Sequence, residues 1–135
     1  MLKIAVFVSG GGTDLQSVID AIEANQINGK IVLVISNRKN AYGLERAKKA
    51  GIETAVVKKD DELIVKMLKE REVDLVVLAG YLAILSDVLI DAYPNKIINI
   101  HPSLIPSFCG PGYYGMHVHE AVLKRGVKVT CLLYT

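Results

Sequence analysis

Leu2-Lys3-Ile4-Ala5-Val6-Phe7-Val8-Ser9-Gly10-Gly11-Gly12-Thr13-Asp14-Leu15-Gln16 decides how the rest of the chain is read. The run from Leu2 to Val8 is nearly all apolar and rich in branched residues. That is the pattern of a strand buried on both faces, as in a parallel sheet. A glycine-rich turn follows at once. Leu15, Val18, Ile19 and Ile22 then recur at helical spacing, which predicts an amphipathic helix over residues 14–25. Thr13 with Gln16 three residues on reads as a capping box.

The same strand-turn-helix unit recurs along the sequence. Residues 30–35 read as a strand, 36–40 as a polar loop, and 41–50 as a helix stopped by Gly51. A short strand is expected at 53–57, and Asp60 or Asp61 caps a helix carrying Leu63, Ile64, Met67 and Leu68. Residues 74–79 form another doubly buried strand, and Ser86 opens a short helix to about Tyr93. A strand over 96–100, stopping at His101-Pro102, leads into a glycine-rich loop (107–115), a helix (116–125) stopped by Gly126, and a last strand (127–133). Strands alternating with helices through short connections predict an α/β fold with a doubly wound, mostly parallel, Rossmann-like sheet in three layers. No linker, low-complexity tract or further repeat divides the chain, so residues 1–135 read as a single domain.

The composition narrows the class. Of 135 residues, 51% are hydrophobic and 22% charged, with a net charge of +2, the profile of a globular protein with a well-filled core. The Lys and Arg residues are scattered, so no footprint for nucleic acid or an anionic membrane is present. Cys109 and Cys131 have neither metal-ligand spacing nor a disulfide pattern. Met1-Leu2-Lys3 runs straight into a strand without the parts of a signal peptide, and no segment reaches the ~18 apolar residues of a membrane span. A cytoplasmic location is the simplest expectation.

Two stretches carry chemistry. Ser9-Gly10-Gly11-Gly12-Thr13 joins the first strand to a helix start, where backbone N–H groups bind anions. It is neither G-x-G-x-x-G nor a Walker motif, and a tight turn alone would need only one glycine. Asp14 in the first turn suits the helix dipole but opposes a bound phosphate. The second stretch is Asn99-Ile100-His101-Pro102. Pro102 ends the strand, leaving an amide and an imidazole on one side of its carboxyl end, where open α/β sheets bind ligands. An imidazole can pass protons and an amide can donate to a developing oxyanion; the bland alternative is a hydrogen-bonded, half-buried histidine. Metal binding is disfavoured, because no acidic partner lies nearby.

Weaker signals surround these. Gly80-Tyr81-Leu82-Ala83-Ile84-Leu85 either lines an apolar slot or packs Leu82 and Ile84 into the core. His117 and His119, two apart on a helix, are a poor chelating pair. Cys109 has no base placed beside it.

Together, Ser9-Gly10-Gly11-Gly12-Thr13-Asp14-Leu15-Gln16, Leu78-Ala79-Gly80-Tyr81-Leu82-Ala83-Ile84-Leu85 and Asn99-Ile100-His101-Pro102-Ser103-Leu104-Ile105-Pro106 resemble the glycinamide ribonucleotide formyltransferases of purine synthesis. The similarity runs in order from Lys3 to about Thr130. It implies a formyltransferase-like fold and transfer of a formyl group from 10-formyltetrahydrofolate, as co-substrate, to the amine of glycinamide ribonucleotide. By that likeness Gly12, Thr13 and Asp14 bind the ribose phosphate end of the substrate. Leu82, Ala83, Ile84, Leu85 and Asn99 lie against the folate, and Asn99 with His101 carries the chemistry. Both partners are small molecules, with no metal, nucleic acid or membrane involved.

The sequence departs from that family in two ways. Asp14 stands where the family usually has Asn. The family also continues into an Asp-x-Gly segment whose aspartate completes the catalytic set, whereas this sequence reads Cys131-Leu132-Leu133-Tyr134-Thr135 and stops. A C-terminally shortened form is therefore expected, with turnover lower by orders of magnitude and an uncovered sheet edge favouring a homo-oligomer. Two rivals remain. A formyltetrahydrofolate hydrolase shares the Asn-x-His pair but usually carries an additional N-terminal regulatory domain. A non-catalytic nucleotide- or anion-binding module would need only the glycine loop.

Overall fold

Residues 4–8 are each no more than 2% exposed, which a strand achieves only when both of its faces are covered. The computed structural model describes residues 1–100 and the backbone of Leu133 and Tyr134. The strands are β1 (Leu2–Val8), β2 (Gly29–Ser36), β3 (Thr54–Val56), β4 (Leu75–Ala79), β5 (Ile97–Ile100) and β6 (Leu133–Tyr134). Between them lie α1 (Thr13–Glu23), α2 (Tyr42–Lys49), α3 (Asp61–Glu70) and α4 (Asp87–Ala92). The expectations that fall on residues 101–132, including His101, Cys109, the 107–115 loop, the 116–125 helix with His117 and His119, and Cys131, lie outside the described residues.

The sheet order is β3-β2-β1-β4-β5-β6. β1 pairs in parallel with β2 and β4, β2 with β3, and β4 with β5, whereas β6 runs antiparallel to β5. The doubly wound, mostly parallel architecture is the one expected. At the edge expected to lie open, Ile97 and Ile98 pair with Tyr134 and Leu133, because the chain returns alongside β5.

Alternation along the strands sorts the core into two layers. Ile4, Val6 and Val8 pack with Leu15 and Val18 of α1 and Leu44 and Ala47 of α2. Ala5 and Phe7 pack with Ile64 and Leu68 of α3 and Leu89 of α4. Winding reverses between β1 and β4, so their carboxyl ends flank a crevice, the general ligand position in such sheets.

Helix ends follow the sequence with one correction. Asp60 caps α3, its carboxylate accepting from Leu63 N at 3.1 Å, and Ser86 precedes α4 as expected. The Thr13–Gln16 capping box does not form. The N-cap of α1 is Gly12, at φ +75° and without a side-chain cap bond, so Thr13 is already helical. The Gln16 side chain instead donates to Asp20 Oδ1 at 2.9 Å. A tertiary contact at Gly12, described below, sets this start.

Candidate active site

Gly12 is held where no other residue fits. Its φ of +75° lies in the left-handed region, and a Cβ there would stand 2.5 Å from the Gly43 Cα. The glycine turn therefore lies directly against the start of α2. Gly43 N donates to Gly10 O at 2.9 Å, and Arg46 Nε donates to Gly11 O at 2.7 Å. Arg46 also reaches Gln16 Oε1 at 3.4 Å and lies 5.1 Å over the Tyr42 ring. Two carbonyls of the turn are thus tied back to α2, while Gly10 and Gly11 stay exposed. The first N–H groups of a helix have no intrahelical acceptors. Here they begin at Thr13, which is exposed, beside a half-buried Asp14.

Across the crevice, β4 ends at Ala79, and Gly80 turns the chain at φ +72°. The segment that follows does not fold into the core: Leu82 is 76% and Ile84 93% exposed. This excludes the core-packing alternative for those two side chains. Ala83 and Leu85 are half-buried, and Tyr81 and Leu85 pack against the α3/α4 layer. The Tyr81 ring meets Phe7 edge-on, with centroids 5.2 Å apart and an interplanar angle of 72°. Burial, and secondarily the Asp61 charge, pushes the Tyr81 hydroxyl above its ordinary pKa, so it stays protonated. Ile84 also borders a hollow of about 390 Å³ with Lys59, Asp60, Asp61, Ser86 and Val88.

Asn99 is half-buried on β5, opposite Leu78. By alternation it shares a sheet face with Ile97, which belongs to the α3/α4 layer. That is also the layer against which Tyr81 and Leu85 pack.

One side chain links the two sides of the crevice. Ser9, 1% exposed, accepts from Leu82 N at 2.8 Å and donates to Asn37 Oδ1 at 2.5 Å. The carboxyl ends of β1, β2 and β4 thus meet at one hydroxyl. The structure brings together Gly12, Thr13 and Asp14 on one side of the crevice and the 82–85 segment on the other. It adds Asn37, Gly43 and Arg46, to which the sequence assigns no role, and gives Ser9, read from the sequence only as the head of the turn, its two partners. Arg46 carries no local signal, because its partner Gly11 lies 35 residues away. Among the described residues no group of three or more His, Cys, Asp or Glu is arranged to hold a metal. No described helix is long and apolar enough to cross a membrane.

A doubly wound sheet with a glycine turn at one side of its switch point and an apolar segment at the other defines an α/β protein of the class whose members bind ligands in such a crevice. Residues 2–132 match the formyl transferase family, and the chain belongs to that family. It is 43% identical over 137 residues to the phosphoribosylglycinamide formyltransferase of Haemophilus influenzae, covering 96% of this chain and 65% of that protein. With the chloroplastic phosphoribosylglycinamide formyltransferase of Arabidopsis thaliana it shares 41% identity over 135 residues, covering 93% of this chain and 46% of that one. The crystal structure of glycinamide ribonucleotide transformylase 1 from Symbiobacterium toebii superposes with a TM-score of 0.74 at 38% identity. That match covers 94% of this chain and 61% of the other. The chain therefore spans between about half and two thirds of the length of these relatives.

Proposed function

We propose that this chain transfers a formyl group from 10-formyltetrahydrofolate to the amine of glycinamide ribonucleotide. The observation that carries the reading is the Ser9–Leu82 bond, which sets the glycine turn and the 82–85 segment on opposite lips of one crevice. The relatives named above are called phosphoribosylglycinamide formyltransferases, which supports the acceptor and the transferred group of this reading.

In this reading the substrate phosphate lies at the start of α1, against Gly12, Thr13 and Asp14, where backbone N–H groups favour an anion. The pterin lies along Leu82, Ala83, Ile84 and Leu85, where the exposed Leu82 and Ile84 side chains offer apolar surface and leave backbone groups within reach of a ligand. The substrate amine attacks the formyl carbon, forming a C–N bond and a tetrahedral oxyanion. The Asn99 amide donates to that oxygen, a contribution that grows as charge develops. The bond from carbon to N10 of the folate then breaks, and the proton lost by the amine reaches N10. His101, two residues beyond Asn99, is the group we assign to carry it.

The test is a formyl-transfer assay that follows both formylated product and free formate. The expected result is product dependent on glycinamide ribonucleotide, reduced about 10²–10³-fold by Asn99→Ala, the usual loss for one oxyanion donor. Formate released equally with and without that substrate would overturn the transferase reading in favour of a hydrolase.

A further inference from the structure

Ser9 and Ser36 are the buried polar residues among those described. Ser36 serves its own turn, bonding Arg38 N and O at 2.9 and 2.8 Å. Ser9 instead serves two other loops. A hydroxyl has one proton and two lone pairs. The Leu82 amide takes up a lone pair of the oxygen, and the proton points at Asn37 Oδ1.

The residues on either side of Ser9 make this pair more than a buried bond. Ser9 is followed directly by Gly10 and Gly11, whose carbonyls accept from Gly43 N and Arg46 Nε, so the turn and the start of α2 move as one piece with Ser9. On the other lip, side-chain acceptors hold both ends of the 82–86 stretch: Leu82 N bonds Ser9 Oγ at 2.8 Å, and Ser86 N bonds Asp61 Oδ2 at 2.8 Å. Leu82 itself is mostly exposed, so packing does little to fix its backbone. A shift of the glycine turn is therefore transmitted through Ser9 Oγ to the Leu82 amide, and the reverse.

We infer that Ser9, oriented by Asn37, is a positioning residue that couples the anion end of the crevice to the 82–85 segment, so that each ligand strengthens binding of the other. The inference rests on the formyl-transfer reading for the identity of the two ligands. A buried hydrogen bond gained or lost with ligand sets the scale of the coupling, about three- to tenfold in affinity. Linkage requires the factor to be the same in both directions.

The experiment is calorimetric titration of the whole chain with glycinamide ribonucleotide and with a 5-deazafolate analogue, each alone and with the other saturating. Wild type is expected to show reciprocal tightening of about three- to tenfold. Ser9→Ala and Asn37→Leu should bring that ratio to one, while Asn37→Asp, which keeps the acceptor, preserves it. Where Ser9→Ala fails to fold, the half-exposed Asn37 pair carries the comparison. A purely structural role would lower stability or both affinities without changing the ratio. Variants that bind both ligands with the wild-type ratio, or a wild type that binds both with a ratio of one, would overturn the inference and leave the proposed function standing. A wild type that binds neither ligand overturns the proposed function, and the inference with it.

Discussion

Gly12 and Gly43, thirty-one positions apart in the sequence, stand so close that a Cβ on the first would lie 2.5 Å from the Cα of the second. Contact between backbones, rather than a need for turning alone, fixes two glycines, one in the turn and one in its supporting helix. Gly12→Ala meets both a left-handed φ and this clash, so it should destabilise the protein by about 2–5 kcal/mol. Gly10→Ala, with open space around it, should cost less than about 1 kcal/mol. Urea unfolding of the two variants separates them.

Arg46 fastens the turn from outside. Arg46→Met removes the 2.7 Å bond to Gly11 O and should cost about 0.5–1.5 kcal/mol of stability. It should also weaken binding at the glycine turn. Arg46→Lys should not restore it, because one ammonium cannot reproduce the fork that serves Gly11 and Gln16 together. Thermal unfolding with and without glycinamide ribonucleotide reports both effects.

Ile84 offers the opposite test. At 93% exposure it contributes little to the core, so Ile84→Ser should change stability by no more than about 0.5 kcal/mol. If the 82–85 segment receives the folate, the same variant loses affinity for the folate analogue and keeps its affinity for glycinamide ribonucleotide.

Tyr93 is a packing residue with a polar remnant. Its hydroxyl is buried without a hydrogen-bond partner among the described residues, and burial, then the Asp74 charge, raises its pKa. Its ring still packs in the α3/α4 layer, 4.3 Å beneath Lys69 Nζ. Tyr93→Phe keeps the packing and removes the buried hydroxyl, so stability should hold or rise by up to about 1 kcal/mol. Calorimetric unfolding checks the sign.

Glu53 gives the structure a small acid dependence. Arg71 grips both its oxygens, at 2.9 and 2.6 Å, and this hydrogen bonding holds the Glu53 carboxyl below its ordinary 4.5, partly opposed by burial. A lowered folded-state pKa stabilises the protein above the unfolded value, and the contribution is lost as pH falls through the folded value. Glu53→Gln should thus be slightly less stable than wild type near neutrality, and the difference should vanish once the pH has fallen below the folded-state value. High salt should narrow the difference, since the pair is exposed.

The layer order was legible because each apolar run has the length and branching of a doubly buried strand, and each helix shows its stripe. Residues 2–8 and 75–79 needed no tertiary information. The start of α1 departs from the local pattern because a capping box involves four adjacent residues, whereas Gly43 decides that position from across the fold. The exposure of Leu82 and Ile84 was undecidable for a related reason: apolar side chains after a strand are core or ligand surface according to what packs above them. The glycine turn and Asn99 could be singled out by residue type at strand and helix ends, whereas a binding role for Gly12, Thr13 and Asp14 came only with the family resemblance. The roles of Ser9, Asn37 and Arg46 could not be read in this way, because they consist of bonds spanning 28 to 73 residues.

The most direct measurement is titration of the chain with glycinamide ribonucleotide and with the 5-deazafolate analogue, read by calorimetry. The account predicts that both bind, and that Ile84→Ser weakens only the folate analogue. If neither binds at millimolar concentration while a simple mononucleotide does, the crevice is an anion-binding site alone, and the formyl-transfer account is contradicted.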